Sequence, residues 1–170
     1  MTAGPPLVFI GPMGAGKTRV GKRVARLLGA GFRDTDKMIV AAHGPIADLF
    51  ETHGEPHFRA LEVDAVARAL AGDTVVALGG GAVLDPGTRA LLAAHPVVYL
   101  TVSAESVAPR LAGGKRPLVR DGVASWQRIY DERKPLYEAL ADLTVETSHR
   151  SDESIADEVA RWARERQASR

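Results

Sequence analysis

The stretch GPMGAGKT at residues 11–18 sets glycines, a lysine and a threonine at spacings that suit a polyphosphate. It fits G-x-x-x-x-G-K-[ST], in which Gly11, Gly14 and Gly16 let the backbone wrap closely with its NH groups turned inward. The amides of Gly14, Ala15 and Gly16 form the cradle, and a helix opening at Lys17 adds its positive end. Lys17 supplies a mobile cation for the β- and γ-phosphates, and the Thr18 hydroxyl suits Mg²⁺. Average residue frequencies give a chance match on the order of 1%. The motif predicts a nucleoside triphosphate and a metal, but by itself no reaction.

Five further clusters bear on what accepts the phosphoryl group. FRDTDKM (32–38) places Asp34 and Asp36 one residue apart, a spacing that fits either a shared cation or two separate tasks. GEPHFRALE (54–62) sets Arg59 and Glu62 three apart on a helix, which allows an ion pair. LGGGAVL (78–84) follows an apolar run, so its backbone can approach a ligand where side chains would block it. KRPL (115–118) puts Arg116 in a glycine-flanked segment with the composition of a mobile lid, and ERKPLY (132–137) sets Arg133 ahead of a proline. A lid arginine can close on phosphates and stabilise the transferring group. Arg59 and Arg133 together suggest a bidentate clamp on a carboxylate, so a small acid is the expected acceptor. The histidines at 43, 53, 57, 95 and 149 show no metal spacing and are expected in solvated or capping roles.

These residues need a scaffold, and the apolar pattern supplies one. LVFI (7–10) reads as a buried strand, Lys17–Leu28 as a helix ended by Gly29, and Gly31–Arg33 as a second strand. Helices are expected near 36–53, interrupted by His-Gly-Pro at 43–45, and near 55–71. TVVALGGG (74–81) reads as a strand running into a glycine turn, DPGTRALLAA as a helix, PVVYLTV (96–102) as a strand and Ala104–Leu111 as a helix. Val123–Leu140 is expected to be helical except at Pro135, LTVE is a late strand, and Ser151–Arg166 a terminal amphipathic helix. Apolar strands alternating with helices predict an α/β fold, a parallel sheet covered on both faces. With no repeat and no linker, the 170 residues are read as one domain.

Composition narrows the classes. The net charge of +1 offers no bulk attraction for nucleic acid or a membrane surface, so an anion must be caught locally. The absence of cysteine excludes disulfides, thiolate metal sites and a cysteine nucleophile. The start of the sequence lacks a basic region, and no apolar run approaches a bilayer's thickness, so a soluble cytoplasmic protein is expected.

From Leu7 to about Ala163 the ordered motifs resemble the shikimate kinase family: GPMGAGKT, the D-T-D at 34–36, GPIADLF, GEPHFRALE, GGGAV, KRPL and RKPLY. The resemblance implies a three-layer P-loop kinase fold, like that of nucleoside monophosphate kinases, with a five-stranded parallel sheet in order 2-3-1-4-5. It implies ATP-dependent phosphorylation of the 3-hydroxyl of shikimate, on the chorismate route to aromatic amino acids. By position it assigns phosphate binding to Lys17 and the loop amides, and Mg²⁺ to Thr18 and to Asp34 through water. Asp36, Arg59, Gly80, Gly81 and Arg133 are assigned to shikimate, Arg116 to the lid, and Arg110 and Arg150 to the neighbourhood of adenine. The lid is implied at about 111–123, the acceptor helices at about 36–62, and a monomer. The segment from Arg110 to Arg116 is about a residue shorter than the family pattern and reads RPLV rather than RPLL. Rival readings are a gluconate or nucleoside monophosphate kinase, and a regulator that keeps the fold without catalysis. The regulator would be expected to lose one of Lys17, Thr18, Asp34, Asp36 or Arg116.

Overall fold

The structure is a computed structural model that describes residues 6–111 and 122–170. Its frame is a five-stranded parallel sheet, β1 (Leu7–Ile10), β2 (Gly31–Asp34), β3 (Thr74–Ala77), β4 (Val97–Thr101) and β5 (Leu143–Glu146), in the order β2-β3-β1-β4-β5. β1 and the Val97–Leu100 run of β4 are buried throughout, as parallel strands covered on both faces must be. β2 and β5 lie at the edges, and there the expectation of continuous burial fails. β2 alternates between exposed and half-buried residues, and β5 buries only Val145.

Register decides what the sheet can present. Phe9 of β1 and Asp34 of β2 both stand opposite Ala77 of β3, and Leu78 donates to the Phe9 carbonyl at 3.1 Å. The glycine loop after β1, the aspartate pair after β2 and the glycine run after β3 therefore leave the sheet at one level. Open parallel sheets bind ligands beyond the carboxyl ends of their strands, where these segments emerge.

Among the described residues the flanking helices are α1 (Lys17–Leu28), α2 (Thr35–His43), α3 (Ile46–His53), α4 (Glu55–Leu70), α5 (Pro86–Leu92), α6 (Ala104–Leu111), α7 (Val123–Leu140) and α8 (Asp152–Ala168). Gly44, at φ 91°, separates α2 from α3 where His-Gly-Pro predicts a break. Ser151 caps α8 by accepting from the Ser154 amide at 3.1 Å. α2, α3 and α4 enclose a small core of their own, formed by Ile39, Leu49, Phe58 and Ala65.

α7 departs from expectation: it runs unbroken through Pro135. An internal proline costs roughly 3 kcal/mol or more. Here tertiary anchors lie on either side of it, because Trp126, Tyr130, Arg133 and Tyr137 share one buried face. Packing, not local propensity, holds this helix together.

Candidate active site

The phosphate loop needs glycine at Gly14, where φ is 82° and a Cβ would stand 2.5 Å from Val107 Cγ2. Lys17, opening α1, donates its Nζ to the carbonyls of Gly11 and Pro12. Burial lowers its pKa to about 8, against the pull of Asp36 and Asp34. Thr18 Oγ1 donates to Asp34 Oδ2 at 2.5 Å, while Asp34 Oδ1 caps α2 by accepting from the Lys37 amide at 3.1 Å. Capping fixes the Asp34 rotamer, so the carboxylate is held beside the threonine.

Asp36, two residues on, sits in a different environment. Burial raises its pKa to about 6, and the nearby Glu62 and Asp34 carboxylates push the same way against Lys17 and Arg59. Glu62 is 3% exposed and also raised by burial; its Oε1 meets Arg59 Nη1 at 2.8 Å. Arg59 also reaches Glu55 at 3.3 Å. The Arg59–Glu62 pair foreseen from spacing exists, but its glutamate is buried, so it is no ordinary solvated ion pair.

The glycine run lets these groups converge. A Cβ on Gly79 would stand 2.6 Å from Asp36 Oδ1 and 2.9 Å from Glu62 Oε2; one on Gly80 would touch Arg133 Nη1 at 3.4 Å. A Cβ on Gly81 would overlap the Arg59 guanidinium. Arginines from α4 and α7 thus approach consecutive glycines. Beside them a cavity of about 310 Å³ is lined by Met13, Gly14, Gly16, Lys17, Thr18, Arg19, Asp36, Gly80 and Arg110. Phosphate-loop residues and two of the expected acceptor residues share one space.

The sequence profile of the shikimate kinase family matches residues 13–164. The chain belongs to that family. The shikimate kinase of Salinispora arenicola is 49% identical over 160 residues, covering 92% of this chain and 96% of that one. The shikimate kinase of Streptomyces avermitilis is 46% identical over 159 residues, 91% and 93% of the two chains. Among solved structures, shikimate kinase from Acinetobacter baumannii in complex with shikimate matches with a TM-score of 0.91 at 33% identity, covering 95% and 94%. A gluconokinase from Sinorhizobium meliloti, at 19% identity and a TM-score of 0.64, shares the fold alone.

In this shikimate kinase family member, Lys17, Thr18, Asp34, Asp36, Arg59, Gly80, Gly81 and Arg133 gather around the ends of β1, β2 and β3. Arg110 lines the cavity and donates to the Gly14 carbonyl. Arg150 follows β5 and is tied to α8, 3.5 Å from Glu158 Oε1 and 3.0 Å from Ser154 Oγ. Arg116 and most of the expected lid lie outside the described residues. The sequence reading passed over Gly79 as the contact point of Asp36 and Glu62. It also passed over Thr35, whose buried hydroxyl accepts from the Gly79 amide at 3.2 Å. The threonine between two aspartates was the available signal. Two donors on α7 also went unforeseen: Tyr137 OH to the Gly80 carbonyl at 2.5 Å, and Trp126 Nε1 to the Met13 carbonyl at 2.8 Å.

Magnesium can be tested against the donors present. Thr18 and Asp34 offer a hydroxyl and a carboxylate side by side, the hard oxygen donors Mg²⁺ prefers. Among the described residues no cluster of three or more acidic or histidine side chains forms a cage. Two protein oxygens beside a phosphate cradle fit an ion that keeps waters and completes its shell from substrate phosphates.

Proposed function

We propose that the protein transfers the γ-phosphoryl group of ATP to the 3-hydroxyl of shikimate, giving shikimate 3-phosphate and ADP on the chorismate route to aromatic amino acids. The observation that carries this is the shared cavity, in which Lys17 and Thr18 stand with Asp36 and Gly80. Arg59 and Arg133 stand at the neighbouring glycines, a paired-arginine arrangement suited to shikimate's carboxylate.

Phosphoryl transfer passes through a loose transition state, so the chain's work is positioning and charge stabilisation. The amides of Gly14, Ala15 and Gly16 hold the polyphosphate, and Lys17 follows the charge that spreads as the bond to the leaving oxygen lengthens. Mg²⁺, held by Thr18 and by Asp34 through water, would neutralise phosphate charge when bound. Arg59 and Arg133 fix the acceptor's carboxylate, and Gly80 and Gly81 allow the ring to approach the backbone. Asp36 accepts a hydrogen bond from the acceptor hydroxyl and orients it in line. Its raised pKa of about 6 also makes it a better proton acceptor than an ordinary carboxylate. As the new O–P bond forms and the bond to the ADP oxygen breaks, the hydroxyl proton leaves toward Asp36, a buried carboxylate that lines the cavity. The family resemblance assigns Arg116 to the transferring phosphates, and Arg110 and Arg150 to the adenine side. We read the chain as one catalytic unit with a lid at about 111–123 and acceptor helices at about 36–62. It acts as a cytoplasmic monomer on small molecules, without nucleic acid. Among the described residues no helix is long and apolar enough to cross a membrane.

Coupled ADP release with shikimate, gluconate and nucleoside monophosphates side by side tests this reading. Release with shikimate far above the others is expected; equal release, or none, overturns it.

A further inference from the structure

The buried face of α7 carries Trp126, Tyr130, Arg133 and Tyr137 at i, i+4, i+7 and i+11, a single stripe along the helix. Each aromatic in it ends in a donor, and each donor goes to a different element. Trp126 Nε1 donates to the Met13 carbonyl in the phosphate loop at 2.8 Å. The Tyr130 hydroxyl meets the Tyr99 hydroxyl of β4. Tyr137 OH donates to the Gly80 carbonyl in the glycine run at 2.5 Å. Trp126 and Tyr137 are each 1% exposed, so neither bond competes with bulk water.

A trans peptide is planar, and its C=O and N–H point in opposite directions. The Met13 carbonyl belongs to the same plane as the Gly14 amide, and the Gly80 carbonyl to the same plane as the Gly81 amide. Fixing either carbonyl therefore aims the amide beyond it. Glycine peptides need such an anchor, because no Cβ restricts their rotation. Gly14 lines the cavity, and Gly81 packs against Arg59. The Arg133 guanidinium also interacts with the Tyr137 hydroxyl, so one phenol contacts both the acceptor arginine and the glycine run.

We infer that Trp126 and Tyr137 are positioning residues, and that α7 sets the amide of Gly14 toward the nucleotide and the amide of Gly81 toward the acceptor. The inference rests on the reaction proposed above, and it adds a helix that orients both halves of the site from behind.

The test is a crossed pair of conservative variants. Tyr137→Phe keeps the ring and removes one donor; Trp126→Phe removes the indole donor together with part of a fully buried ring, so its cavity cost is read from the shikimate KM, which loosening would also move. Losing one such bond corresponds to roughly five- to tenfold in an equilibrium constant. Tyr137→Phe is expected to raise the KM for shikimate by about that factor and to leave the KM for ATP within about twofold. Trp126→Phe is expected to do the reverse, and to weaken ATP binding measured calorimetrically without acceptor by the same factor. In an Arg133→Ala background, Tyr137→Phe should add less than its full effect, because the two share a hydroxyl. General loosening of the fold would move both KM values together. That result, or two unchanged KM values, overturns the inference. A parent protein that releases no ADP with shikimate refutes the proposed reaction instead. The calorimetric ATP measurement on Trp126→Phe then still decides whether α7 positions the phosphate loop, and an affinity equal to the parent's overturns it.

Discussion

Replacing Asp36 by asparagine should make the ligand-free protein more stable at neutral pH, and its activity separates a proton-accepting carboxylate from one that only orients the acceptor. Burial and two neighbouring carboxylates raise the Asp36 pKa from 3.8 to about 6. A carboxyl whose folded pKa lies above its unfolded value binds its proton more tightly in the native state. Its contribution therefore favours folding below about pH 4 and is lost as pH rises through about 6. At pH 7.5 the ionised group costs about 3 kcal/mol, and at pH 4.5 about 1 kcal/mol. Asparagine carries no such charge. Its gain is trimmed because Asp36 is also the leading counter-charge to buried Lys17. A net gain of about 2 kcal/mol at pH 7.5 is expected, shrinking to below about 1 kcal/mol at pH 4.5. Denaturant melts of parent and Asp36→Asn across that range, beside ADP release, measure both effects. Activity should fall by about 10²-fold or more if the carboxylate must take the proton; a value within about threefold of the parent would leave it an orienting role only. A stability difference that does not change with pH, or a loss of stability at pH 7.5, would refute the electrostatic account of this site.

Gly79→Ala would drive a methyl between Asp36 and Glu62, and the Gly79 amide is already held by Thr35. Overpacking of this kind costs about 1–3 kcal/mol, so kcat/KM for shikimate should fall roughly 10- to 100-fold with ATP affinity kept; a change below about twofold would contradict the packing. Lys17, lowered to about 8, is partly neutral near that pH and should become fully charged against phosphates, so ATP binding at pH 8 should take up part of a proton. Calorimetry in buffers of different ionisation enthalpy reads that uptake, and heats independent of buffer would count against it. Arg133→Ala should raise the KM for shikimate roughly 10- to 100-fold and leave ATP binding nearly intact, as expected for a lost charge-assisted bond. An unchanged KM for shikimate would remove Arg133 from the clamp.

The frame was legible because its signals are local. Four apolar residues before a glycine loop make β1, and Gly29 and Gly44 end helices where the pattern stops. The phosphate loop and the aspartate pair could be read for the same reason: each is a short run whose chemistry depends on its own spacing. Pro135 misled because a local rule predicts a break, while the contacts that keep α7 whole come from β4, the phosphate loop and the glycine run. Glu62 shows the same limit. Its spacing from Arg59 announced a pair, but its burial depends on Gly79, which meets it only once the sheet is assembled. Three consecutive glycines look alike in a sequence; in the fold one faces two carboxylates and the others face different arginines.

The strand order also constrains how the protein is made. Of the five strands of this sheet β1 is synthesised before the others, yet its neighbours are β3 and β4, with Leu7 paired to Val75 and Val8 to Val97. α1 waits longer still for α8, where Arg164 donates to the Leu27 carbonyl at 2.5 Å. Pairings this far apart in sequence close slowly, because the intervening chain must be ordered before they form. A nascent chain halted before Val97 already holds the entire phosphate-binding motif, but only one of the two strands that flank it. The segment that defines the chemistry is synthesised before the elements that secure it.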